Sequence, residues 1–232
     1  MNPTELPEKQ FKLYREILKR YQVSFTPVTV RGHHLEILQV DDIEPLLAGK
    51  DPFKDVESFP FWVKLWEASL ALADLMASLP PKPGQTLLEL GAGLAAPGLA
   101  AAAAGYEVTL SDYEQYILNF QKVNAAASKV EERVHHILLD WLKPPKELPQ
   151  YDTIIGAEIL FRETFFEPLL TIFRQYLKPD GVIYLAHDVR RKSLPKFLIQ
   201  AEKHFVVAVS KRTLRTEDKE LTIIVNRLTP RR

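Results

Sequence analysis

Glu89, Asp112, Asp140 and Glu158 each follow a run of mostly apolar residues, and Gly91 and Gly93 lie just beyond the first of them. Carboxylates placed this way can hold a nucleoside, because ribose hydroxyls and adenine amines are donors and a carboxylate accepts from them. The segment Leu87-Leu88-Glu89-Leu90-Gly91-Ala92-Gly93-Leu94-Ala95-Ala96-Pro97-Gly98 supplies the other half of such a site. It reads as a buried strand, an acidic Gly-rich turn and a helix start. Two glycines let a ligand approach the backbone, and the free N–H groups of the following helix favour negative charge. Glu89 narrows the choice of ligand. A dinucleotide would lay its pyrophosphate over this turn, beside a like charge. S-adenosyl-L-methionine has no phosphate, and the same carboxylate would attract its ammonium and sulfonium.

Asp112 stands about 20 residues after Gly91, a spacing that lets a carboxylate bond the ribose of a nucleotide lying on the Gly-rich turn. It could instead cap the helix that follows. Asp140-Trp141 offers an acceptor for an adenine amino group and a ring to pack beside it; the bland alternative is a helix-starting aspartate next to a half-buried tryptophan. Glu158 belongs at the carboxyl end of a fourth central strand, where ligands of open α/β sheets bind, and so near a methyl group to be transferred. Otherwise it satisfies backbone donors in a turn while Phe161 fills the core.

Strands expected at 86–90, 106–111, 134–138, 152–157 and 181–187 alternate with helices at 95–104, 114–127, 164–177 and 193–204. That pattern gives an α/β fold with a parallel sheet covered on both faces. Segments 205–214 and 221–228 follow one another without a helix and should pair as an antiparallel hairpin, so the mostly parallel sheet ends with a reversed C-terminal strand. This is the layout of the Rossmann-like, seven-stranded class I methyltransferases. Ahead of it, 5–21 has helical periodicity, 25–30 and 35–40 alternate as a hairpin about Arg31-Gly32, and a loop at 51–60 leads to a helix ending near Leu79. The division expected is an N-terminal extension, 1–60, and a methyltransferase domain, 61–232. The alanine run at 100–104 reports only close helix packing.

Composition limits the alternatives. The chain has 30 basic and 30 acidic residues, which gives no global attraction to nucleic acid or an anionic membrane. With no cysteine, disulfides, thiolate metal sites and cysteine nucleophiles are excluded. No segment reads as a signal peptide or membrane span, so a soluble cytoplasmic protein is expected. His33-His34 and His135-His136 lack companion ligands, and neighbouring strand residues face opposite ways, so no metal site is expected. His187-Asp188 and Arg190-Arg191 read as a solvated basic turn near the substrate rim.

Residues 61–75, the Glu89–Gly98 turn, Asp112, Asp140-Trp141 and Gly156-Ala157-Glu158-Ile159-Leu160-Phe161 together resemble the seven-β-strand protein methyltransferases of the lysine-methylating family 16 group. The resemblance covers roughly residues 55–228. It implies S-adenosyl-L-methionine as methyl donor and a lysine side chain on a protein as acceptor, with Glu158 and Phe161 as the acidic and aromatic hallmark after the fourth strand. It also implies that Trp66 and Ala157 contact the cofactor. The chain departs from the family pattern in having Glu158 with Phe161 where Asp with Tyr is usual, and Ala95 where a third glycine is usual. An alanine leaves the turn intact unless the backbone there needs a positive φ.

Glu158 is unsuited to be a base, because a carboxylate stabilises the ammonium beside it; capturing and orienting the amine is the role expected of it. Three other readings are compatible with the residues. Gly91, Gly93 and Ala96 also satisfy a loose dinucleotide fingerprint, as in an NAD-dependent dehydrogenase. The acceptor could be a small-molecule amine or pyridine, and the fold could serve as a non-catalytic binding module.

Overall fold

The computed structural model describes residues 1–51, 54–55, 59–215 and 220–231. Helix α1 (Glu8–Leu18) precedes a hairpin of β1 (Val23–Val30) and β2 (His33–Val40), which turns at Arg31-Gly32 as the alternation predicts. A single turn, α2 (Glu44–Leu47), follows. Parts of the expected loop, residues 52–53 and 56–58, lie outside the described residues. A 3-10 turn (Phe61–Val63) then leads into α3 (Glu67–Ala77), which ends two residues before the expected end near Leu79.

Seven strands form the central sheet: β3 (Thr86–Glu89), β4 (Glu107–Asp112), β5 (Val134–Leu138), β6 (Tyr151–Ala157), β7 (Leu177–Asp188), β8 (Phe205–Arg215) and β9 (Glu220–Pro230). Their order is β5-β4-β3-β6-β7-β9-β8, with β9 antiparallel to both its neighbours and the central pairs parallel. This is the class I methyltransferase sheet with its reversed strand. Between the strands run α4 (Ala96–Ala104), α5 (Gln115–Ala127), α6 (Phe166–Tyr176) and α7 (Leu194–Ala201). The helix expected at 193–204 is shorter, spanning Leu194–Ala201. The strand expected at 181–187 begins at Leu177, and the helix expected from 164 opens with a 3-10 turn (Glu163–Phe165).

Alternation along the strands divides the core. Leu87 faces α4, α5 and the N-terminal hairpin, whereas Leu88, its neighbour, faces α6 and α7. On the first face Leu35, Ile37 and Leu38 of the hairpin pack in one cluster with α3, α4 and α5. Asn124 fastens the two parts: its Oδ1 accepts the Leu38 N–H at 2.8 Å, and its Nδ2 donates to the Leu94 carbonyl at 3.1 Å. The chain leaves β3 toward β4 on one side, while β6 pairs on the other, so the sheet order reverses at β3. Ligands bind at such a switch point, beyond the carboxyl ends of the strands. Among the described residues no helix is long and apolar enough to cross a membrane.

Candidate functional site

At that switch point lies a cavity of about 430 Å³. Trp66, Gly91, Gly93, Asp112, Asp140, Trp141, Ala157, Glu158 and Phe161 line it, so residues from four strand ends and the start of α3 meet in one place. The turn after β3 is a left-handed zigzag: φ is 59° at Gly91, 51° at Gly93 and 67° at Ala95. Ala95 therefore occupies the backbone conformation that glycine takes at least cost. Inside the turn, Asp112 Oδ2 accepts the Gly93 N–H at 2.9 Å and Oδ1 accepts that of Tyr113 at 2.9 Å. Burial pushes the Asp112 carboxyl up to about 6, against the pull of those two bonds. The N-cap position of α5 is Glu114, whose side chain makes no capping bond, and not Asp112, so the helix-cap alternative falls away.

Glu89 differs from expectation. It does not line the cavity but sits beneath the turn, 2 % exposed, where its Oε2 accepts the Gly98 N–H at 2.8 Å. A side chain on Gly98 would run into this carboxylate, 2.5 Å away, which is why the position is bare. Desolvation pushes Glu89 up to about 8, so at neutral pH it is largely uncharged. Its influence on a ligand is then the shape of the turn rather than a negative charge. Asp140 behaves as a loop acid at the rim, exposed and accepting the Leu142 N–H at 2.9 Å. Trp141 lies flat enough against Gly91 that an added Cβ there would meet its ring at 3.0 Å.

The other end of the cavity is walled by aromatic rings. Phe61 stacks on Phe161 at 4.7 Å, Phe59 lies 4.9 Å from Phe61, and Phe165 lies 5.4 Å from Phe161 and 5.2 Å from Trp141. Trp66 closes the wall, its Nε1–H donating to the Phe61 carbonyl at 2.6 Å. Glu158 begins the turn after β6 with φ of 57° and is 5 % exposed. Its Oε1 accepts the Asp188 N–H at 2.5 Å, and its Oε2 accepts from Arg191 Nη2 at 2.6 Å and Nε at 3.0 Å. The same turn is bolted to the end of β7 again by His187, whose Nε2 accepts the Leu160 N–H at 3.3 Å. His187 is fully buried, which pushes it down to about 3 and keeps it neutral. Residues 187–191 are thus not a solvated basic turn: His187 and Arg191 are core groups, while Val189 and Arg190 reach solvent and Arg190 grips Asp188.

The family described as lysine methyltransferase matches residues 61–204, more than half of the sequence. The chain belongs to that family. Among its relatives, protein N-lysine methyltransferase METTL21A of Xenopus tropicalis is 27% identical over 195 residues, spanning 82% of this chain and 83% of that protein. EEF1A lysine methyltransferase 3 of Mus musculus is 33% identical over 129 residues, spanning 55% of this chain and 56% of that protein. A SAM-dependent methyltransferase from Agrobacterium tumefaciens shares the fold with a TM-score of 0.62 at 19% identity, covering 92% of this chain and 72% of the other.

In this methyltransferase the sequence pattern named the floor and part of the wall of the cavity but missed Arg191 behind Glu158 and two aromatic rings. Arg191 lies far from Glu158 in sequence, and the only trace of it was an arginine doublet after a strand. Phe59 and Phe165, which complete the aromatic wall, carried no motif.

Proposed function

We propose that the protein transfers a methyl group from S-adenosyl-L-methionine to the side-chain amine of a lysine in a protein. The observation that carries this reading is the single cavity that joins a Gly-rich, acid-held turn to the aromatic corner around Glu158. The residues suit the cofactor. Gly91 and Gly93 admit its amino-acid end, Asp112 retains lone pairs for ribose hydroxyls, and Trp141 with Asp140 offers an apolar face and an acceptor for adenine. Glu89 acts indirectly, by holding the turn. Trp66 and Ala157 border the place where the methyl end would lie. When bound, the cofactor supplies an electrophilic methyl group on sulfur, and no metal is required.

What the chain itself must do is present an uncharged nitrogen and exclude water. A lysine amine has a pKa of about 10.4, so deprotonating it at pH 7 costs about 4.6 kcal/mol. Exclusion of water from the corner lowers that cost by disfavouring the charged form, and Phe161 gives the amine an apolar or cation–π wall. The division into an extension, 1–60, and a catalytic domain, 61–232, is part of the same reading.

Incubation with methyl-labelled S-adenosylmethionine and a cell lysate, followed by identification of the labelled species, tests the proposal. Methyl-lysine in a protein is the expected result. Label confined to small molecules would move the acceptor to a free amine, and no transfer at all would sink the catalytic reading.

A further inference from the structure

Glu158 and Arg191 form an enclosed ion pair, their side chains 5% and 4% exposed. A carboxylate offers about four lone-pair positions. Asp188 N–H, Arg191 Nε and Arg191 Nη2 take up three, which leaves capacity for one further donor. The same guanidinium lies 5.6 Å from the Phe61 ring centroid, and Phe61 stacks on Phe161. One side chain therefore fixes both the acid and the ring of the acceptor corner.

The charge of that pair has a chemical consequence. An unpaired buried carboxylate would hold an incoming lysine as its ammonium, and an ammonium has no lone pair with which to attack. Arginine does not lose its proton in proteins, so an ionised Glu158 and Arg191 together add no net charge. We propose that Arg191 is a positioning residue that makes Glu158 a balanced hydrogen-bond acceptor, so that the acceptor amine enters uncharged with its lone pair free. This rests on the reading of Glu158 as the group facing the amine. The charges around the corner favour the same state because most are already matched. Arg190 holds Asp188 at 2.7 Å, Lys64 lies 3.8 Å from Glu67, and Asp51 lies 3.9 Å from Lys54. His187 is neutral, Asp112 belongs to the far side of the cavity, and Arg162 lies over the rings of Phe161 and Phe165.

The test follows carbon-labelled n-butylamine, a lysine side chain without its backbone, bound to the protein together with S-adenosylhomocysteine. The carbon shift of its labelled methylene against pH gives the pKa of the bound amine. In the native protein that value is expected at least about one unit below the free value of about 10.4. Arg191→Met is expected to return it to the free value or above, and Arg191→Lys, which keeps the charge, to leave it lowered. The double variant Glu158→Gln with Arg191→Met, which removes both charges, is expected to lower it again. A merely structural role predicts that the double variant does no better than Arg191→Met, and that result overturns the proposal, as do identical titrations in native protein and Arg191→Met. Calorimetric binding of S-adenosylhomocysteine checks that each variant is folded; should Arg191→Met fail it, the lysine and double variants decide. If the native protein binds S-adenosylhomocysteine but no n-butylamine, the amine-acceptor reading itself fails and takes this proposal with it.

Discussion

Beneath the Gly-rich turn, Glu89 and Asp112 accept backbone N–H groups from Gly98 and Gly93, whereas at the other end of the cavity Glu158 takes a side-chain cation from Arg191. The donor side holds acids without cations. Burial therefore drives their titration upward, to about 8 and about 6. Burial also raises Glu158, but Arg191 and the Asp188 N–H oppose it. Each end also contains a non-glycine residue in left-handed backbone, Ala95 in one and Glu158 in the other. The contrast separates two tasks. On the proposed function, binding the donor requires a fixed backbone shape, while handling the acceptor requires control of charge.

The largest expected effect falls on the acceptor side. Glu158→Gln leaves Arg191 as a buried cation without its anion, a loss of about 3 kcal/mol in stability. Turnover should drop about a hundredfold through misplacement of the amine, while cofactor affinity stays nearly unchanged. Denaturant melts, single-turnover rates and calorimetry measure the three quantities, and an equal loss of cofactor affinity would erase the distinction between the two ends. Asp112→Ala should do the reverse. It removes the acceptor for the Gly93 N–H and for the ribose, so cofactor affinity should fall by about thirtyfold, corresponding to about 2 kcal/mol. A normal dissociation constant in that variant would remove Asp112 from the cofactor site.

A smaller effect should appear in the dependence of stability on pH. Glu89 and Asp112 both titrate higher in the folded chain than in the unfolded one, so the folded chain binds more protons. Their contribution is fully present below about pH 4 and is lost as pH rises through about 6 for Asp112 and about 8 for Glu89. Glu89→Gln keeps an oxygen for the Gly98 N–H and should flatten the fall between pH 6 and pH 8, as unfolding midpoints across that range would reveal. The smallest effect belongs to Ala95→Gly. Relief of the left-handed backbone, offset by the greater chain entropy of glycine, should stabilise the protein by about 0.5–1 kcal/mol. A lower melting temperature for this variant would mean that the alanine methyl, which is buried, contributes more packing than strain.

The order of strands and helices was legible because each element is specified locally. Apolar runs too continuous for a one-sided sheet, broken by helical periodicity, dictate a parallel sheet, and the absence of a helix after residue 205 dictates the terminal hairpin. Boundaries were less legible. The Lys178-Pro179-Asp180-Gly181 stretch reads as a turn, yet β7 begins before it because Leu177 pairs with Tyr151. The Gly-rich turn was visible for the same local reason as the strands, since Glu89 and Gly98 are nine residues apart and share one strand-to-helix unit.

What the sequence determined by itself is therefore what depends on neighbours in the chain: the Gly-rich turn, the acids at the strand ends and the family to which they belong. Tertiary structure alone decided how strongly Glu89 and Asp112 are desolvated. Desolvation depends on everything packed around a group, and it leaves Glu89 largely neutral beneath the turn where the sequence suggested an anion facing the ligand. It likewise took the fold to bring Arg191 to Glu158, because an ion pair between two loops is set by the sheet order and not by any spacing along the chain.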